Sequence, residues 1–144
     1  MTERRAFFLV CDDVLIALNG KFTIIGMYTG DIIIVSEQAT VGQLVVLFQI
    51  ETPVEKPFRK LELQVSLPGE DTPRRLDITQ SLTGSQLFVP PTRARMLFRW
   101  PFLLAPVVLK PGAIEVKVLH EDGEIDAGKQ WIVTTALSAS PAQH

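Results

Sequence analysis

Cysteine is nearly missing from this chain of 144 residues, with Cys11 its single occurrence, so no internal disulfide can form and the fold must rest on its core. A lone thiol fits a reducing compartment, and a cytoplasmic address is expected. Histidine is as scarce: there are 2, His120 and the terminal His144. A histidine-built zinc site is therefore excluded, since structural zinc takes four N or S ligands. Neither sign of charge dominates, because 14 Lys plus Arg face 16 Asp plus Glu for a formal charge of -2. The chain as a whole has no field to steer it to nucleic acid or to an acidic membrane.

Long apolar runs are lacking too. Arg4-Arg5-Ala6-Phe7-Phe8-Leu9 has the outline of a twin-arginine export signal, but Asp12 and Asp13 interrupt the apolar stretch it must lead into. No other segment approaches the roughly 18 residues a membrane helix needs, and the chain is expected to be soluble and unprocessed. There is no sustained helical periodicity, internal repeat or dividing linker. Gly-rich phosphate loops, nucleophile elbows and paired-carboxylate motifs are missing as well. Lys110-Pro111-Gly112 and Leu82-Thr83-Gly84-Ser85 read as plain turns, because neither leads into a helix.

The composition that remains is globular, 47% apolar and 21% charged, in one domain of a size that buries roughly 70% of its unfolded surface. Its most legible local feature is Asn19-Gly20 between Val14 to Leu18 and Phe22 to Tyr28. Asn-Gly is the strongest short-range hairpin signal, and a type I′ turn with positive φ at both residues is expected. Further turns punctuate the chain at short intervals. Thr29-Gly30-Asp31 leads into Ile32 to Val35, Ser36 to Thr40 reads as polar loop, and Gln43 to Glu51 is a strand with apolar residues on both faces. Glu51 to Phe58, with Pro53 and Pro57, reads as a loop.

Arg59 to Leu67 alternates cleanly, with Leu61, Leu63 and Val65 on one face, and returns through the Pro68 to Pro73 turn as a strand from Arg74 to Thr79. Gln80 to Pro91 is a loop-like crossover where a binding function has room to sit. Arg93 to Trp100 is a strand. Pro101 and Pro106 place the stretch leading to Lys110 at a sheet edge or bulge. Ala113 to His120 and Gln130 to Leu137 form a last hairpin around Asp122-Gly123. The expected fold is an all-β antiparallel sandwich of about eight strands, Ig-like or Greek-key in type, over residues 1–137, with a tail at 138–144.

Several clusters merit a chemical reading. Cys11-Asp12-Asp13 joins a thiol to carboxylates, which raise a thiol pKa, so a buried structural cysteine is expected. Asp12 and Asp13 point to opposite strand faces and cannot act as an acid/base pair; a turn-capping role is the alternative. His120 with Glu121, Asp122, Glu124 and Asp126 resembles a loose metal site. The calcium-loop order is wrong and a second imidazole is lacking, so a solvated turn is expected and no metal or cofactor is assigned.

Arg93, Arg95 and Arg99 share a strand face by period-two counting, with Leu97 between them. They offer a ladder for phosphate or an acidic partner, or a structural one if carboxylates oppose it. Phe98 and Trp100 take the other face, which argues against nucleic acid. Val45 and Leu47, apolar behind Leu44 and Val46, are candidate interface residues.

Cys11-Asp12-Asp13, Asn19-Gly20-Lys21 and Ile25-Gly26-Met27-Tyr28, with Lys110-Pro111-Gly112-Ala113-Ile114-Glu115-Val116 and Asp122-Gly123, resemble the first and last hairpins of a bacterial family of uncharacterised proteins, a domain of unknown function. An aromatic more usual after the Gly is here Ala113-Ile114. The resemblance implies a β-sandwich and carries no activity and no functional residues. The function expected is a non-catalytic binding or assembly module, with a homodimer or protein partner, no nucleic acid and no membrane. A small-ligand carrier is the alternative, and an enzyme of unknown reaction ranks third.

Overall fold

The computed structural model describes residues 3–82 and 92–135. The expected crossover therefore lies outside the described residues beyond residue 82, as do the boundary at 137 and the tail. Among the described residues the chain is all-β, with twelve strands: β1 Arg5–Cys11, β2 Asp13–Ile16, β3 Phe22–Ile25, β4 Ile32–Ile34, β5 Ala39–Val41, β6 Leu44–Pro53, β7 Leu61–Ser66, β8 Arg74–Asp77, β9 Arg95–Leu104, β10 Val107–Leu109, β11 Gly112–His120 and β12 Gly123–Thr134. A 3-10 turn spans Thr79–Leu82.

Two sheets dominate, a three-stranded one ordered β1-β6-β9 and a five-stranded one ordered β4-β12-β11-β7-β8. All pairings are antiparallel except β4 on β12. Strand alternation sends one side chain in two toward a shared core. Val10, Val46, Phe48, Ile50, Phe102 and Leu104 enter it from the first sheet, and Leu61, Leu63, Val65, Ile114, Val116, Val118 and Ile132 from the second. The pairs β5-β10 and β2-β3 stand apart as two-stranded ladders, and part of the sheet system curls into a half-barrel.

Strand boundaries differ from the sequence expectation where proline or glycine intervenes. β6 runs on to Pro53 and β9 runs through Pro101, which pairs with Leu47. β9 is an edge strand, where a missing N–H is tolerated. β12 begins at Gly123 and not near Gln130, because a register shift after Val116, opposite Ala127 and Gly128, lets the ladder continue past the break. The end of the segment read as polar loop also pairs, Ala39–Val41 lying against Val107–Leu109 in the stretch expected at a sheet edge or bulge.

The first hairpin forms as expected but through a different turn. Gly20 has φ 81 and no residue other than glycine has positive φ among the described residues, so Asn19 stays on the ordinary side. Gly20 N–H donates to Ala17 O at 2.9 Å, and Ala17 N–H to Lys21 O at 2.9 Å. This is a three-residue loop ending in a glycine bulge. Asn19 Oδ1 instead accepts the Lys21 N–H at 3.2 Å.

A candidate binding groove beneath the first hairpin

The site begins with a break in the first strand. At Asp12 the chain leaves β1, and its N–H donates to Ile25 O at 2.9 Å and to Gly26 O at 3.2 Å. Gly26 opposite is left-handed with φ 65, and a side chain there would overlap the Asp12 carboxylate. Tyr28 N–H then rejoins β1 at Val10 O, 2.9 Å away. Both strands thus deviate at the same level, and the β2-β3 arm returns over the outer face of the three-stranded sheet.

Register gives that face its rows. Cys11, Val45 and Leu103 lie side by side, then Leu9, Leu47 and Pro101, then Phe7, Gln49 and Arg99, then Arg5, Glu51 and Leu97. Arg95 opposes Pro53 at the far end. The rows nearest the arm's base are apolar, and charge gathers toward its tip. Between arm and sheet runs a groove of about 820 Å³, with Phe7, Leu9, Leu47 and Leu97 from the sheet, Phe22 and Ile24 from the arm, and Lys21, Gln49 and Arg99 as its polar groups.

The charges on this face are unbalanced. Among the outward-facing positions of β1, β6 and β9, Glu51 is the one carboxylate, against Arg5, Arg95 and Arg99. Arg5 Nε and Arg95 Nε lie 3.9 Å and 4.0 Å from it, so its charge is already answered twice. Arg95 also donates to Glu3 O, while its Nε and Nη1 and the Arg5 Nε are buried without a hydrogen-bond partner. Arg99 donates from Nε to Gln49 Oε1 at 3.1 Å. Among the described residues neither Arg99 nor Lys21 has an ion-pair partner.

The residues singled out from the sequence thus separate. Arg95, Leu97 and Arg99 do share a face, with Phe98 and Trp100 turned to the core. Arg93 precedes β9, and its Nε donates to Arg95 O at 2.8 Å, so it is not a rung of that ladder. Val45 and Leu47, read as outer interface residues, are only 3% and 4% exposed within the single chain, because the arm covers the face they occupy. The arm itself carries the exposed apolar surface: Leu15, Ile16, Leu18, Ile25 and Met27 all face solvent, Leu18 completely. A smaller exposed set, Ile33, Val35, Trp131 and Val133, lies at the β4-β12 edge.

Cys11 is fully buried. Burial pushes its thiol pKa up and the Asp12 charge adds to the rise, which removes it from nucleophilic chemistry near neutrality. Asp13 Oδ1 accepts the Val14 N–H at 2.8 Å, a local turn contact.

His120, Glu121 and Asp122 do converge, with donor atoms within 4.8 Å of one another, but the cation they hold is Arg4. Its Nη2 lies 2.6 Å from Glu121 Oε2, and its Nη1 lies 2.9 Å from His120 Nδ1 and 3.4 Å from Asp122 Oδ2. Nε donates to Thr52 Oγ1, Nη2 also donates to the carbonyls of Lys56 and Pro57, and the guanidinium stacks 4.4 Å from the Phe58 ring centre. Glu124 and Asp126 are engaged elsewhere, with Lys117 and the Gly128 N–H. For Glu121, burial alone would raise the pKa. The Arg59 N–H and the Arg4 guanidinium, with its own N–H and that of Lys60, outweigh burial and bring it down to about 2. A buried structural lock results, and not an open metal site.

Sequence reasoning missed the groove because no local pattern says that a hairpin will fold back. The signal lay in Asp12 breaking a β run level with Gly26 in the partner run. Compared with protein-family models, curated proteins and solved structures, the chain matches none.

Proposed function

We propose that this protein is a non-catalytic binding and assembly module that engages a protein partner, a second copy of itself first, through the β2-β3 arm. The observation that carries this reading is the arm's apolar surface. Leu15 and Ile25 lie on the face turned away from the sheet, Leu18 stands at the tip, Ile16 is exposed on the Phe22 side of the arm, and Met27 is exposed after β3. Exposed apolar side chains gathered on one element mark an interaction site. Both long edges of the two-stranded arm are also unpaired among the described residues, apart from its junction with β1, so a second strand can add to it. The groove lining holds no Ser, Thr, Cys, His or carboxylate, so nothing in it pairs a nucleophile with a base.

With this reading we keep three further proposals: that the two principal sheets form an Ig-like, Greek-key sandwich, that the protein belongs with the bacterial family its hairpins resemble, and that it acts in the cytoplasm. Sedimentation of the wild type and of a Leu15→Lys, Leu18→Lys double variant tests the assembly. Both positions are exposed, so the variant retains its fold. A concentration-dependent dimer lost in the variant supports the arm. A monomeric wild type with no partner-dependent change at the arm rejects it.

A further inference from the structure

The groove under the arm is a separate feature from the arm's outer surface, and its chemistry is specific enough to name an occupant. We infer that it is a binding site for a medium-chain fatty carboxylate, held with its tail between arm and sheet and its head on Arg99 and Lys21. Its apolar walls are Leu9 and Leu47 on the sheet side and Phe22 and Ile24 on the arm side, with Leu97 beyond the Gln49 and Arg99 row. A volume of about 820 Å³ falls within the range of roughly 300 to 1,000 Å³ usual for small-molecule sites.

The polar part selects the head group. Glu51 is already flanked by Arg5 and Arg95 at 3.9 Å and 4.0 Å, which leaves it no claim on Arg99. Arg99 uses Nε on the neutral Gln49 amide at 3.1 Å, and that contact fixes the guanidinium plane while its two terminal nitrogens have no partner among the described residues. A fork so placed matches a carboxylate in bidentate fashion, and Lys21 on the same groove adds a second charge from the arm. A neutral alcohol of equal length would satisfy the apolar walls without engaging either cation. Discrimination should therefore come from the head, at a charge-assisted hydrogen bond's worth or more.

Calorimetric titration of the full chain with dodecanoate, held below its micelle concentration, tests the assignment, with dodecanol as the neutral probe and an acidic, apolar peptide as the macromolecular one. The expected result is saturable binding of one dodecanoate per chain, about tenfold or more tighter than dodecanol, weakened by salt. Arg99→Gln should lose about tenfold for dodecanoate and leave dodecanol unchanged, and Lys21→Gln should act in the same direction. Both side chains are on the surface of the groove, and unchanged thermal melts of the variants confirm that the fold persists. No saturable binding, equal affinity for acid and alcohol, or peptide binding without dodecanoate binding overturns the inference. Association through the arm is read by sedimentation and can stand or fall independently.

Discussion

Removing the Arg4 side chain should cost more stability than any other single charge on this protein's surface. The Arg4 side chain is 5% exposed and that of its partner Glu121 13% exposed, at 2.6 Å. Breaking a buried ion pair by deleting one member costs about 3 to 5 kcal/mol, because the remaining charge stays desolvated. Two features of the structure act on that figure in opposite directions. Glu121 retains N–H donors from Arg59 at 3.0 Å and Lys60 at 3.2 Å, which lowers the cost. The Pro57 carbonyl loses the Arg4 donor and the Phe58 face loses its cation, which raises it by roughly 1 to 2 kcal/mol without adding linearly.

For Arg4→Met, which keeps much of the apolar stem, a loss of about 3 kcal/mol is expected. Arg5→Met is the control. Its side chain is 39% exposed and its Nε lies 3.9 Å from Glu51, the regime in which ion pairs contribute at most about 1 kcal/mol. Urea unfolding of both variants reads the difference as a shift in midpoint at unchanged slope. Equal losses, or a smaller loss at Arg4, would refute the view that this residue fastens the start of β1 to the β11-β12 turn.

Acid should weaken the same lock in two stages. Burial and then the Arg4 charge hold the His120 pKa below the ordinary imidazole value of about 6.5, so the unfolded chain binds that proton more readily. The His120 contribution is complete above about pH 6.5 and is lost as pH falls through the lowered value. Glu121, lowered to about 2, keeps its contribution above the ordinary carboxylate value of about 4.3 and loses it as pH falls toward 2. Melts across pH should show both steps, with His120→Gln removing the first.

Gly26→Ala should cost on the order of 1 to 3 kcal/mol, since φ is 65 and the new methyl meets Asp12. Gly20→Val, where φ is 81 and space is open, should cost a similar amount through backbone strain alone, and Asp13→Asn less than either by thermal melt. Cys11 should react with thiol reagents only on unfolding, and Leu47→Lys should unfold the protein, where an exposed interface position would leave the fold intact.

The turn positions of this chain were readable from sequence because they are local, although the type I′ turn expected at Asn19-Gly20 is a three-residue loop with a glycine bulge. Asn19-Gly20, Pro68 to Pro73 and the turn before Gly123 each carry their own backbone preference, and each closes a hairpin. The residues that failed to announce themselves act over distance. Leu47 alternates like an outward residue, and only the fold-back at Asp12 and Gly26 buries it. Pro101 looks like a strand end until β9 is known to be an edge. Arg4 reads as part of a basic start, while its partners lie at positions 52, 56, 57, 58 and 120 to 122. The Arg95 and Arg99 pairing on one face was legible by period two. Arg93 fell off because β9 begins only at Arg95.

Amide hydrogen exchange at low and high protein concentration bears most directly on the proposal that the β2-β3 arm is the assembly surface. Protection should rise with concentration at residues 13–27 and stay level at β7, which is paired on both sides within the five-stranded sheet. Unchanged exchange across the arm, or new protection confined to the Ile33, Trp131 and Val133 surface, would contradict it.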